Sequence, residues 1–187
     1  MREFASATSR VASLPPPAKA LYSGFCALTA MGFGTAIALY AQILRLGART
    51  TPAELFDHLV GYYNPAAAPS GVGPLGSIST RALLQVTHFH LFSMSVVLLI
   101  VGHLFFLTRL SMGAKRGFIL ASVAATVLHL FAPWAIVLFG RTLAVLYPLS
   151  GFALAVTYGV LMAVPLYEMW SKVPVGQPRS TGMQKAA

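Results

Sequence analysis

The stretch "THFHLFSM" sets His88 and His90 one residue apart inside an apolar run; His103 lies further along the same run and His129 in the next. Imidazole can ligate haem iron, hold copper or zinc, or carry a proton, and each role needs the ring fixed against a partner. Ionisable side chains are uncommon within membrane spans and mark functional sites when they occur there. Three histidines in one run is the strongest chemical signal in this chain.

The leading chemistry is a haem b held by two imidazoles from facing helices, with an apolar bundle enclosing the flat macrocycle. Depth decides which pair. Counted from Arg81, His88 lies roughly 10 Å and His90 roughly 13 Å inward; counted from Arg141, His129 lies roughly 18 Å inward. His103 is about 9 Å from the opposite marker, Arg109. His90 and His129 are therefore the best-matched axial pair, with His88 and His103 secondary. Around an ideal helix His88 and His90 diverge by about 200°, whereas His88 and His103 differ by about 60°. A cofactor that takes His90 leaves His88 on another face. A stacked pair of haems needs four ligands, and Met31, Met94, Met162 or an open axial position would have to complete the set. Thr87, Ser93 and Thr108 are candidates to orient imidazoles or hold propionates.

Two other readings stay open. An outer copper or zinc site could draw on His58, Asp57 and His88, although one helix cannot aim both rings of His-x-His at a single ion. Alternatively the histidines make interhelical hydrogen bonds worth about 1 kcal/mol each. The chain is then a non-catalytic assembly subunit of a larger membrane energy-conversion complex. An electron-transfer or accessory subunit fits better than a self-contained enzyme, since no hydrolase, kinase or dinucleotide motif is present. A transporter or channel is disfavoured by the lack of an inverted repeat.

The elements that position these residues follow from composition. Of 187 residues, 57% are hydrophobic and 9% charged, against about 25% charged in soluble domains. Apolar runs at about 19–45, 82–108, 117–140 and 143–169 each meet the length of roughly 20 residues that a span requires. The expected fold is an all-α polytopic membrane protein, a four-transmembrane-helix bundle with a short outer-loop helix. Residues 1–18 form a cytoplasmic N-terminal segment, 19–169 the membrane domain with external loop 48–80, and 170–187 a cytoplasmic tail. Arg2, Arg10 and Lys19, then Arg109, Lys115 and Arg116, then Lys172, Arg179 and Lys185 mark the inner side. Arg45, Arg49, Arg81 and Arg141 on the other side are partly offset by Glu54 and Asp57. A bacterial cytoplasmic membrane with both termini inside is expected. The net charge of +9 suits lipid headgroups, not nucleic acid, because no basic stripe appears. A haem subunit of this kind would meet a quinol in the membrane and an electron carrier outside. Cys26 alone makes no disulfide or thiol metal motif.

In the loop, "TPAELFDHL" carries a helix-start signature, with Thr51 as cap, Pro52 in the first turn and Glu54 three after the cap. Leu55, Phe56, Leu59 and Tyr63 would lay this helix on the membrane surface; "YYNPAAAPSGVGPLGS" then reads as an irregular linker that covers the bundle end or grips a partner. In the last run Gly151, Ala155, Gly159 and Ala163 recur every four residues, and Gly24, Gly32 and Ala36 form a similar interrupted face in the first. Such stripes permit close helix approach. Pro133 removes the backbone donor that the His129 carbonyl expects and favours a kink there. Tyr167 and Trp170 read as interface anchors, with Glu168 at headgroup level.

Overall fold

The computed structural model describes residues 10–43, 51–68 and 77–171. Helices α1 (Pro16–Ile43), α3 (Thr80–Phe106), α4 (Met112–Phe139) and α5 (Leu146–Trp170) are each long and apolar enough to cross a membrane. A shorter helix, α2 (Pro52–Tyr63), follows α1. The protein is an all-α, four-span membrane bundle, with no strand among the described residues. The observed spans lie within a few residues of those read from hydropathy. The N-terminal residues 1–9, the segments 44–50 and 69–76, and the tail from 172 lie outside the described residues, together with Arg2, Arg45, Arg49, Lys172, Arg179 and Lys185.

Several helix ends are closed by a side chain or backbone group supplied from elsewhere. At the end carrying the α3–α4 connection, here the base, Lys19 Nζ donates to the Met169 carbonyl and Lys115 Nζ to the Phe106 carbonyl, at 2.8 and 2.7 Å. These ammonium groups satisfy the orphan carbonyls and negative dipole ends of α5 and α3. Glu168 accepts the Arg109 backbone N–H, Trp170 Nε1 donates to Ser23 Oγ, and the Val11 N–H reaches the Leu107 carbonyl. The first and last spans are thus tied together, with the N-terminal turn (Val11–Ser13) tucked beneath them.

The other end is roofed by α2, and here the surface-helix expectation is corrected. The capping box is formed: Thr51 Oγ1 accepts the Glu54 N–H at 3.3 Å and Glu54 Oε2 accepts the Thr51 N–H at 2.6 Å. Leu59, Val60 and Tyr63, however, are buried against Leu83, Ile136 and Ala144, not laid on lipid. Asn64 Nδ2 donates to the Val137 carbonyl at the end of α4, and Arg141 pairs with Asp57 at 3.0 Å while reaching the Ala53 carbonyl. The apolar face of α2 covers the bundle because the bundle end offers it a complementary apolar floor.

Towards the base, α3, α4 and α5 pack as a solid core of Val101, Phe105, Ala125, Leu154, Tyr158 and Leu161. Tyr158 donates to Thr126 Oγ1 at 3.0 Å, and Thr126 in turn donates to the Ser122 carbonyl. On α5 the buried seam is Ser150, Leu154, Thr157, Tyr158, Leu161, Pro165 and Met169. Within this chain the small-residue stripe is not the packed seam. Ala155 and Ala163 are exposed, and a methyl at Gly159 would meet nothing within 4 Å. α4 continues helically through Pro133.

Candidate functional site

A cavity of about 590 Å³ opens between α1, α3, α4 and α5. Its existence follows from side-chain size. Gly32 and Ala36 on α1 and Gly151 and Ala155 on α5 line it, so small residues leave room where the sequence suggested close backbone approach. A methyl built at Gly151 would touch the His129 ring, 3.4 Å from Cε1. Phe33, edge-on to Tyr158 at 5.3 Å, also lines the cavity.

His90 from α3 and His129 from α4 line this one cavity. Each is ten residues from the α2-capped terminus of its helix, Thr80 and Phe139, which puts both about 15 Å deep. Both rings have one nitrogen engaged. His90 Nδ1 lies 2.8 Å from the Val86 carbonyl, which can only accept, so Nδ1 carries the proton and Nε2 the lone pair. His129 Nδ1 lies 3.1 Å from Ser150 Oγ. Ser150 directs its hydroxyl to the Tyr147 carbonyl at 2.9 Å, so the arrangement that satisfies both has His129 Nδ1 donating. Tyr147 stacks on the His129 ring at 4.9 Å and 20°. Two imidazoles are thereby fixed in tautomer and oriented by their outer nitrogens, the support that ligating histidines require.

The other candidates are placed elsewhere. His88 is exposed, edge-on to Phe92 at 5.2 Å, and is not among the residues lining the cavity. His103 is exposed in a separate shallow groove with Ser95, Leu99, Gly102 and Ile119. Among the described residues, no second ligand pair for a stacked haem is brought together with it. Asp57 is held by Arg141, and among the described residues no group of three or more His, Cys, Asp or Glu converges as a metal site. His58, Asp57 and His88 are therefore not assembled into the outer copper or zinc site. Met94 lines the cavity, Met31 faces outward and Met162 packs in the core. Of the hydroxyls expected to serve the imidazoles, Ser93 lines the cavity. Thr87 instead accepts from Trp134 Nε1 at 2.9 Å, and Thr108 donates to the Phe105 carbonyl.

Ser150 and Tyr147 were not visible from the histidine pattern. Around Tyr147 the aromatic contacts continue to Tyr40 at 5.2 Å and Tyr63 at 5.4 Å, and Tyr63 meets Tyr62 at 4.9 Å. Burial, and next the neighbouring Tyr147, push the Tyr63 phenol pKa far up and keep it protonated.

A four-span helical membrane domain with two oriented imidazoles in an intramembrane cavity is the class these observations define. Residues 76–175, more than half of the chain, match the transmembrane helical domain Aq_1264_TM, and the chain belongs to that family. The match takes in α3, α4 and α5 with all four membrane histidines, and leaves α1 outside it. No curated protein and no solved structure matches the chain.

Proposed function

We propose that this chain is a haem b-binding membrane subunit that passes electrons between a membrane quinol or partner subunit and a carrier beyond the α2-capped end. The observation that supports this reading is the pairing of His90 and His129 on one cavity, each with Nδ1 engaged and Nε2 left to ligate. The residues present suit the group. The volume falls within the range of about 300–1,000 Å³ typical of ligand sites, whose walls are mostly apolar with a few placed polar groups. His90 and His129 would supply the imidazoles that hold such a group. Such a group supplies reversible one-electron transfer. The two imidazoles would hold the iron, and Phe33 and Leu154 in the cavity lining would keep water from it. The α2-capped end is assigned to the outside because Arg10, Lys19, Arg109, Lys115 and Arg116 gather near the base.

The test is a reduced-minus-oxidised spectrum of the gently purified native protein, with extraction of the pigment. A b-type spectrum is expected, absent from His90→Ala and His129→Ala and retained by His88→Ala and His103→Ala. Folded native protein free of haem would end this reading.

A second reading, membership of a larger membrane complex, is favoured by the exposed side chains of Gln85, His88 and His103 on α3. Polar groups facing lipid are costly and usually meet a protein partner. Replacing both histidines should then release the chain from its native assembly on a blue native gel, with its spectrum unchanged.

A further inference from the structure

Away from the histidine cavity, a second hollow lies in the base half of the bundle, between α3 and α4. Leu98, Leu99, Gly102 and Phe106 from α3 and Ile119 from α4 line it, about 460 Å³ in all, with His103 among them. Leu99 is 72% exposed, so the groove faces lipid. A methyl built at Gly102 meets nothing within 4 Å, which leaves its floor open. His103 is exposed too, and its ring makes no hydrogen bond among the described residues. It stands three residues before the end of α3 at Phe106, about 5 Å inside that end. A polar ring at this depth is costly to leave in hydrocarbon without a partner.

Charge decides what covers the groove. Lys115 Nζ sits 5.4 Å from the centre of the Phe106 ring, at the base end of the groove. Arg109 follows Phe106 by three residues, Arg116 stands three residues before Ile119 on α4, and both arginines are exposed. The one ion pair among the described residues joins Arg141 to Asp57, at the opposite end of the bundle. Glu168 accepts the Arg109 backbone N–H with both oxygens and pairs with neither guanidinium. A second copy of this chain, seated here about a two-fold axis along the membrane normal, would set these arginines against their own like. An apolar partner helix would leave them unanswered. A phosphate carried on acyl chains meets the arginines and the apolar groove together.

We propose that this groove is a binding site for one anionic phospholipid of the base-side leaflet. The phosphate pairs with Arg109 and Arg116, whose guanidiniums suit phosphate oxygens better than a point charge does. An ester carbonyl, which lies deeper than the phosphate in any phospholipid, accepts the His103 N–H. One acyl chain runs on over Gly102 and Leu99.

The experiment measures lipid retention by native mass spectrometry of the full chain in mild detergent. The protein is titrated with dioleoyl phosphatidylglycerol or with dioleoyl phosphatidylcholine, which has the same chains and no net charge. Wild-type protein should hold one phosphatidylglycerol about tenfold more tightly than phosphatidylcholine. Arg109→Gln and Arg116→Gln should each weaken phosphatidylglycerol about fivefold, the scale of one basic side chain beside an anionic headgroup. Gly102→Leu, whose side chain enters open space, should lose the bound lipid and keep its helical circular dichroism. Arg81→Gln removes an exposed cation near the other end of α3 and should behave as wild type. Equal retention of the two lipids overturns the assignment. So does a preference that Arg81→Gln lowers as much as Arg116→Gln, which would mean diffuse attraction and no site. A groove that leaves the native membrane holding a quinone or a protein partner, undisplaced by phosphatidylglycerol, overturns it as well.

Discussion

The two halves of the bundle are built from the same helices and differ in what their side chains do with the space between them. Towards the base, Val101, Phe105, Tyr158 and Leu161 fill the interior, and Tyr158 donates a hydrogen bond to Thr126 Oγ1. Towards the α2 cap, Gly32, Ala36, Gly151 and Ala155 withdraw from it, and two imidazoles line the space that remains. In lipid no hydrophobic drive separates these outcomes, so association rests on packing and hydrogen bonds. The base is filled throughout, and the upper half is held around its cavity by the seated apolar face of α2 and by clasps such as Asn64 to Val137 and Arg141 to Asp57. A bundle can then keep a cavity at one level without losing its fold at another.

The largest effect should come from closing that cavity. Gly151→Leu places a branched side chain where even a methyl already touches His129 at 3.4 Å. Haem content per protein should fall at least about tenfold, as expected when a ligand site is filled and an axial group displaced, while the helical circular dichroism is kept. Gly159→Leu, two turns away, meets open space and should retain both. Full haem content in Gly151→Leu would show that the cavity is not where the cofactor sits.

The solid half answers a different substitution. Phe105 is fully buried, and its truncation to alanine in a soluble core costs about 3–5 kcal/mol from lost transfer energy and cavity formation. Lipid solvates the separated helix about as well as the core does, so mainly the packing part remains, about 2–3 kcal/mol. Unfolding of Phe105→Ala in mixed detergent should shift by that amount with an unaltered optical spectrum. A changed spectrum with unchanged stability would mean that the two halves are not separable in this way.

Much of this was legible in the sequence, and the remainder was hidden for identifiable reasons. Span positions follow from run length, because the bilayer demands about 20 apolar residues whatever the packing. That His90 and His129 share a cavity while His88 does not follows from rise and angle along straight helices, which counting captures. What Gly151 and Ala155 do could not be counted. A small-residue stripe serves close approach or open volume equally well, and the choice depends on where α1 stands. Ser150 was hidden because a serine in a span most often bonds its own helix, and it does so here with Tyr147, while also receiving His129. The fate of α2 turned on the floor offered by Leu83, Ile136 and Ala144, drawn from α3, α4 and the following turn.

The smallest effect concerns that roof. Glu54 is exposed, and its carboxyl pKa is held below the ordinary value, first by the Thr51 backbone N–H and then by the Thr51 side chain. A depressed carboxyl contributes stability that is present above its unfolded pKa, about 4.3. The contribution is lost as pH falls through the lower folded value. Amide hydrogen exchange, corrected for intrinsic rates, should therefore show the first turn of α2 losing protection between about pH 5 and pH 3. The helical part of α3 around Phe105 should not change. Glu54→Gln keeps an acceptor for the Thr51 N–H but cannot titrate, so its first turn should be less protected at pH 6 and indifferent to acid. Leu59, Val60 and Tyr63 remain buried in every case, which limits the opening to one turn. If the wild-type first turn exchanges alike at pH 6 and pH 3, the capping box contributes no measurable stability to the roof. The seating of α2 would then rest on its apolar face alone.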